Sequence, residues 1–134
     1  MGYRSDVKAA FYVKDVKHFP MLKLWLTANF PMEQLGGSVR WFDRGMMFEE
    51  ECVKWYEDYE DVKAFDEAVR KYLELVNVDE ANNDTPTFLY EFVRLGENYE
   101  DIVTEYEGYH CECILGVIRS ITCDTGRMYG SNQV

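Results

Sequence analysis

Carboxylates are the most abundant groups in this chain that could do chemistry, and they come in two runs. The first holds Glu49, Glu50, Glu51, Glu57, Asp58, Glu60 and Asp61, relieved only by Lys54; the second holds Glu97, Glu100, Asp101, Glu105, Glu107 and Glu112. If both runs meet at one end of a sheet, carboxylates would stand where the phosphates of a nucleic acid sit, with tyrosines adding contact area. That chemistry suits a basic protein surface. The competing reading is a solvated acidic rim whose role is solubility. The candidate contact set is Glu49, Glu51, Glu57, Asp58, Tyr59, Glu60, Asp61, Tyr99, Glu100 and Asp101.

Other chemistries find less in the sequence. Glu49 and Glu51 share a strand face, but the Asp-x-Asp-x-Asp-Gly spacing of a calcium loop is missing, so no metal site is expected. His110-Cys111-Glu112-Cys113, with Cys123 beyond, invites zinc. Structural zinc sites, however, use C-x-x-C knuckles rather than C-x-C within an apolar strand, and buried structural thiols are the simpler expectation. The two histidines, His18 and His110, have no identifiable orienting partner for cysteine catalysis. Gly36-Gly37 precedes a strand and not a helix, so it lacks the geometry of a phosphate-binding turn. No cofactor is implied. Arg94 stands on an otherwise apolar strand face, where an unpaired charge is costly; Glu91, Glu97 and Asp6 are available partners, and an Arg4/Asp6/Arg94 network fixing the amino-terminal residues to the sheet is expected.

Fourteen basic against 25 acidic residues give a net charge of -11, which repels nucleic acid and anionic lipid and draws basic partners. With 47% hydrophobic and 16% aromatic residues in 134, one folded domain is expected over residues 1–123, with 124–134 a fraying tail. Residues 1–13 alternate apolar and polar side chains instead of forming a leader's apolar block, and no run approaches the ~20 apolar residues of a membrane span. A cytoplasmic protein is expected, its four cysteines present as thiols.

The elements follow from periodicity. Residues 5–14 alternate, with Val7, Ala9, Phe11 and Val13 on one face, as a strand does. Asp15 can cap a helix carrying Val16, Phe19, Leu22, Leu26 and Trp25, and since Pro20 fits only a first turn the helix can also begin nearer His18. Two strand-like runs, 38–43 and 46–56, flank a turn at Arg44-Gly45. Val62, Phe65, Val69, Tyr72, Leu73 and Val76 recur at helical spacing, with Asp58 placed to cap. Residues 79–86 read as a loop, 87–95 as an interior strand, 97–107 as a short acidic helix, and 109–123 as a last strand bulged at Gly116. The order predicts an α+β, ferredoxin-like β-α-β-β-α-β sheet with helices on one face, extended by a C-terminal strand. An α+β meander with another spatial order shares these elements.

Three stretches carry a resemblance: Gly2-Tyr3-Arg4-Ser5-Asp6-Val7; Lys54-Trp55-Tyr56 leading through Tyr59 to Asp61-Val62; and Phe92-Val93-Arg94-Leu95-Gly96-Glu97. They resemble a family of small tailed-bacteriophage proteins that pair a GYRSDV-like start with a KWY-x-x-Y-x-DV segment. The family has no established reaction. The resemblance therefore implies context: a non-enzymatic accessory factor in the host cytoplasm that binds and inhibits or redirects a host defence or nucleic-acid-handling protein. A homodimer along an unpaired strand edge is compatible with it. The alternative is a small ligand-binding domain or enzyme whose pocket is lined by Tyr3, Trp41, Trp55 and Tyr56.

Overall fold

The computed structural model describes residues 2–76, 87–108, 114–117, 121–123 and 125–128. The expected 79–86 loop, His110, Cys111 and Cys113, and residues 129–134 lie outside them. The architecture is α+β.

Strand β1 (Ser5–Val13) is the middle of a five-stranded sheet, because its Ala-Ala-Phe-Tyr-Val run is buried on both faces. A solvent-facing strand would need polar residues at every second position. On one side β1 pairs with β3 (Gly45–Val53), which pairs with β2 (Ser38–Trp41); on the other it pairs with β4 (Phe88–Gly96), which pairs with β5 (Ile102–Glu107). The order is β2-β3-β1-β4-β5, with antiparallel neighbours throughout.

Two helices cover one face. A single 3-10 turn at Val16–His18, capped by the Asp15 carboxylate that accepts the Lys17 N–H at 3.0 Å, leads into α1 (Phe19–Asn29), with Pro20 in the first turn as its missing donor requires. Helix α2 (Glu60–Leu73) buries Val62, Phe65, Ala68 and Tyr72. Leu73, expected inward, is 36% exposed. Asp58 does not cap; the N-cap is Tyr59, and α2 is held by packing of its apolar stripe. Between helices and sheet lie Phe11, Phe48, Phe65, Tyr72 and Phe92 among others. The Tyr72 hydroxyl, fully buried, donates to the Leu89 carbonyl at 2.8 Å, and burial pushes its pKa up.

The second face is covered as well. Strands β6 (Leu115–Val117) and β7 (Ile121–Cys123) form an antiparallel pair, followed by the short α3 (Thr125–Met128). Ile114, Leu115 and Met128 pack on Ala10, Tyr12, Met47, Leu89 and Val93. Within the expected tail, 125–128 is therefore helical, and Met128 is fully buried against the sheet. Cys123 packs half-buried on the same cluster, while Cys52 is an exposed thiol.

The strand that extends the sheet is β5, not the C-terminal segment. Residues 97–107, expected as a helix, form a turn and a strand because Ile102 to Glu107 find β4 in register from Leu95↔Ile102 to Tyr90↔Glu107. Fixed pairing along a strand already buried outweighs the propensity of a short acidic segment. The expected long final strand is instead β6 and β7 in a separate sheet.

Gly45 is required where β3 meets β1. It lies opposite Tyr12, and a Cβ there would press on the Phe11 carbonyl and the Tyr12 backbone. Gly45→Ala is expected to cost about 1–3 kcal/mol by forcing the two strands apart, measured by urea denaturation. A loss under a few tenths would show that the strands yield freely.

Candidate binding groove and acidic end

The N-terminal residues, the segment before α2 and the β4–β5 turn are tied together by one residue, Tyr3. The Tyr3 N–H donates to the Tyr56 hydroxyl (2.5 Å), while its own hydroxyl donates to Asp101 Oδ2 (2.7 Å) and accepts the Asn98 N–H (2.9 Å). Arg94 forms a two-pronged pair with Asp101, at 3.1 and 3.0 Å, and donates to Ser5 Oγ at 3.3 Å. Forked guanidinium–carboxylate geometry is the strong form of the ion pair. Gly96 makes room for it, since a Cβ there would run into both the Asp101 carboxylate and the Tyr3 hydroxyl.

The network expected around Arg94 thus exists with a different acid. Asp101 takes the arginine, Glu91 points to the opposite face, and Asp6 instead accepts the Cys52 N–H at 2.9 Å. Arg4 donates to the Cys52 carbonyl at 3.1 Å, so Asp6 and Arg4 hold Cys52 in a left-handed conformation (φ 54°) at the irregularity of the β1–β3 pairing. Asp101, proposed from sequence as a contact residue, is an internal partner.

The remaining candidates divide by face. Glu49 lies on the second face and pairs with Lys8 (3.6 Å) and Arg40 (3.5 Å), so two cations offset its charge. Glu51 is exposed beside it, next to a small cavity of about 100 Å³ that both residues line. Glu57, Asp58, Tyr59, Glu60 and Asp61 gather where α2 begins; the last four border a shallow depression of about 590 Å³ with Gln34. None of these carboxylates is within ion-pair distance of a cation among the described residues. Glu50 faces the same end: partial burial first, then Asp61, raises its pKa, and its Oε1 is buried without a hydrogen bond among the described residues. Tyr99 (74% exposed) and Glu100 stand out on the β4–β5 turn. The structure therefore gathers Glu57 to Asp61 at the start of α2 and sets Glu49, Glu51, Tyr99, Glu100 and Asp101 elsewhere.

Beside α2 runs a groove of about 500 Å³. Tyr3, Trp55 and Tyr56 line it, three of the four aromatics expected of a pocket; Trp41 instead packs on Phe19 and under the Lys23 ammonium. Phe65 and Phe92 lie within ring contact of Trp55 at 5.2 and 6.4 Å. Glu57, Asp66 and Glu105 add carboxylates.

Asp66 has a raised pKa from partial burial and then from Glu57; Glu105 likewise from partial burial, Asp66 and Glu107. A carboxyl group raised in the folded state adds stability below its unfolded pKa and loses it as pH rises through the folded value. Facing carboxylates thus work against the fold as the pH climbs out of the acid range. Asp66 and Glu105 stood outside the candidate contact set, Glu105 only as a member of the second acidic run, and α2 and β5 bring them together from distant positions.

No metal-holding cluster occurs among the described residues, and none of their helices is long and apolar enough to cross a membrane. Comparison with protein-family models, with curated proteins and with solved structures gives no match.

Proposed function

We propose that the chain is a non-enzymatic acidic binding protein, a phage-type accessory factor that occupies the basic surface of a host defence or nucleic-acid-handling protein in the host cytoplasm. The observation that carries this is the group of carboxylates at the start of α2, set around the partly exposed Tyr59 and making no ion pair among the described residues. Elsewhere the protein does pair its acids, as Glu49 and Asp101 demonstrate. Acidic side chains at a helix start also complement the helix dipole, which accounts for Glu60 and Asp61 but not for Glu57, Asp58 or Tyr59 outside the helix.

The accompanying fold reading is a ferredoxin-like β-α-β-β-α-β unit. Support comes from the order β2-β3-β1-β4 with α1 and α2 on one face, to which β5 and the β6–β7 pair are additions. A second reading, a ligand site lined by aromatics, is favoured by one specific observation, the groove that Tyr3, Trp55 and Tyr56 line.

Affinity capture from host lysate at low and high salt tests the first reading. A stoichiometric partner is expected at low salt and lost at high salt. Replacing Glu57, Asp58, Glu60 and Asp61 together by lysine is expected to weaken it about a hundredfold or more, since reversed charges at an interface repel. Retention of the same partner by that variant would remove the acidic end from the interface.

A further inference from the structure

Tyr90 is the unexplained group of the groove. Its ring is 2% exposed and packs on Phe11 and Tyr72 at 5.1 and 6.4 Å, yet its hydroxyl lines the groove without a hydrogen-bond partner among the described residues. The ring is held in the core while the oxygen opens on the groove, so that oxygen is available to a donor that enters. Burial, and then the Glu105 and Asp66 carboxylates, push its pKa well up, so it stays a protonated phenol whose lone pairs can accept.

Around that oxygen the groove offers aromatic faces at Trp55 and Phe92, and carboxylates at Asp66 and Glu105 that make no ion pair among the described residues. The one cation lining it, Arg94, is already engaged by Asp101. The complement of such a site is a flat cation with several N–H donors that also stacks. A guanidinium meets each requirement, while an ammonium is compact, more strongly hydrated and less suited to stacking.

We propose that the groove receives an arginine side chain of a protein partner, its guanidinium between the Asp66 and Glu105 carboxylates, against the Trp55 wall, with the Tyr90 oxygen as acceptor. This rests on the basic-partner reading and names the residue type it presents. A protein side chain fits better than a free metabolite because the groove joins the acidic end: Glu57 lines it, and Tyr56 meets Tyr59 edge to face at 5.0 Å. One partner surface can reach both.

The test titrates the full chain with N-acetyl-arginine methylamide, and with its citrulline and lysine counterparts, following Trp55 and Tyr90 by NMR. Saturable shifts at both residues are expected with the arginine derivative, and binding about tenfold weaker or worse with citrulline, which keeps the shape and loses the charge. Asp66→Asn with Glu105→Gln is expected to weaken arginine binding about tenfold or more, and Tyr90→Phe about threefold to tenfold. Because that phenylalanine removes only an unbonded hydroxyl, the variant folds. Glu74→Gln, which removes one carboxylate on α2's C-terminal side, stays within about twofold, as a screened charge away from the groove should.

Equal binding of citrulline or lysine, or indifference to both groove variants, overturns the proposal. If the arginine derivative fails while the salt-sensitive capture persists, the groove assignment falls and the basic-partner reading stands. If capture fails at both salts, the basic-partner reading falls and takes the partner's arginine with it.

Discussion

Replacing Glu91 by alanine is expected to cost about 3–5 kcal/mol, because three donors would be left buried without their acceptor. Glu91 is 0% exposed. Its carboxylate accepts the Tyr12 hydroxyl and the backbone N–H groups of Ile114 (2.9 and 2.8 Å) and Leu115 (2.8 Å). A side chain of β4 thereby supplies hydrogen bonds to a segment that makes no ladder with the main sheet. Glu91→Gln keeps one oxygen acceptor and loses the other, and is expected to cost about 1–3 kcal/mol.

Urea denaturation followed by tryptophan fluorescence measures both variants. Hydrogen exchange separates the mechanism: in Glu91→Ala the Ile114 and Leu115 amides should lose protection well before those of β1. Losses under about 1 kcal/mol, or uniform loss of protection, would mean that apolar packing of Leu115 and Met128 holds the second face without the carboxylate.

Phe65→Ala is expected to match that effect, at about 3–5 kcal/mol, by opening a cavity where five rings converge. Phe65 lies 6.5 Å from Phe11, 6.0 Å from Phe30, 5.7 Å from Phe48, 5.2 Å from Trp55 and 5.8 Å from Phe92. It is the residue through which α2 is keyed to both β3 and β4. Phe65→Leu fills most of the space and should cost about 1–2 kcal/mol less than the alanine variant, so the difference reports the cavity and not loss of the helix. Phe65 also lines the groove. The leucine variant, still folded, is therefore expected to disturb Trp55 and weaken cation binding before it threatens the fold. A chain that tolerates alanine with under about 1 kcal/mol of loss would have collapsed α2 into the space.

Much of this architecture was legible because the signals were local and periodic. Phe65 and Tyr72 lie seven residues apart on an apolar stripe that only a helix gathers, and Val7, Ala9, Phe11 and Val13 alternate as only a strand requires. What failed was local evidence that fits two periods. Ile102 and Tyr106, four apart, satisfy helical spacing and strand alternation alike, with Val103 on the opposite strand face, and the choice was made by pairing with β4. The Asn98-to-Asp101 stretch looked like a helix start, but the Asp101 carboxylate serves Arg94 and Tyr3.

The site was legible in kind and not in place. Tyr3, Trp55 and Tyr56 stood out as large aromatics and do line one groove, while the carboxylates beside them were hidden by sequence distance. Glu91 gave a readable signal: a lone charge among Leu89, Val93 and Leu95 on one strand face, the same anomaly that marked Arg94. Its partners could not be read, since backbone amides leave no trace in side-chain identity.

The position of β1 bears on the order in which the protein can be made. Its register partners run from Tyr12↔Gly45 on one side to Ser5↔Gly96 on the other, so the middle strand leaves the ribosome before its neighbours, and β4 is completed last of the three inner strands. At about 5–20 residues per second, β1 waits several seconds for β4. During that interval β3 can cover one edge of the Ala9 to Val13 run, but the edge that β4 will cover stays open to a neighbouring chain on the same message.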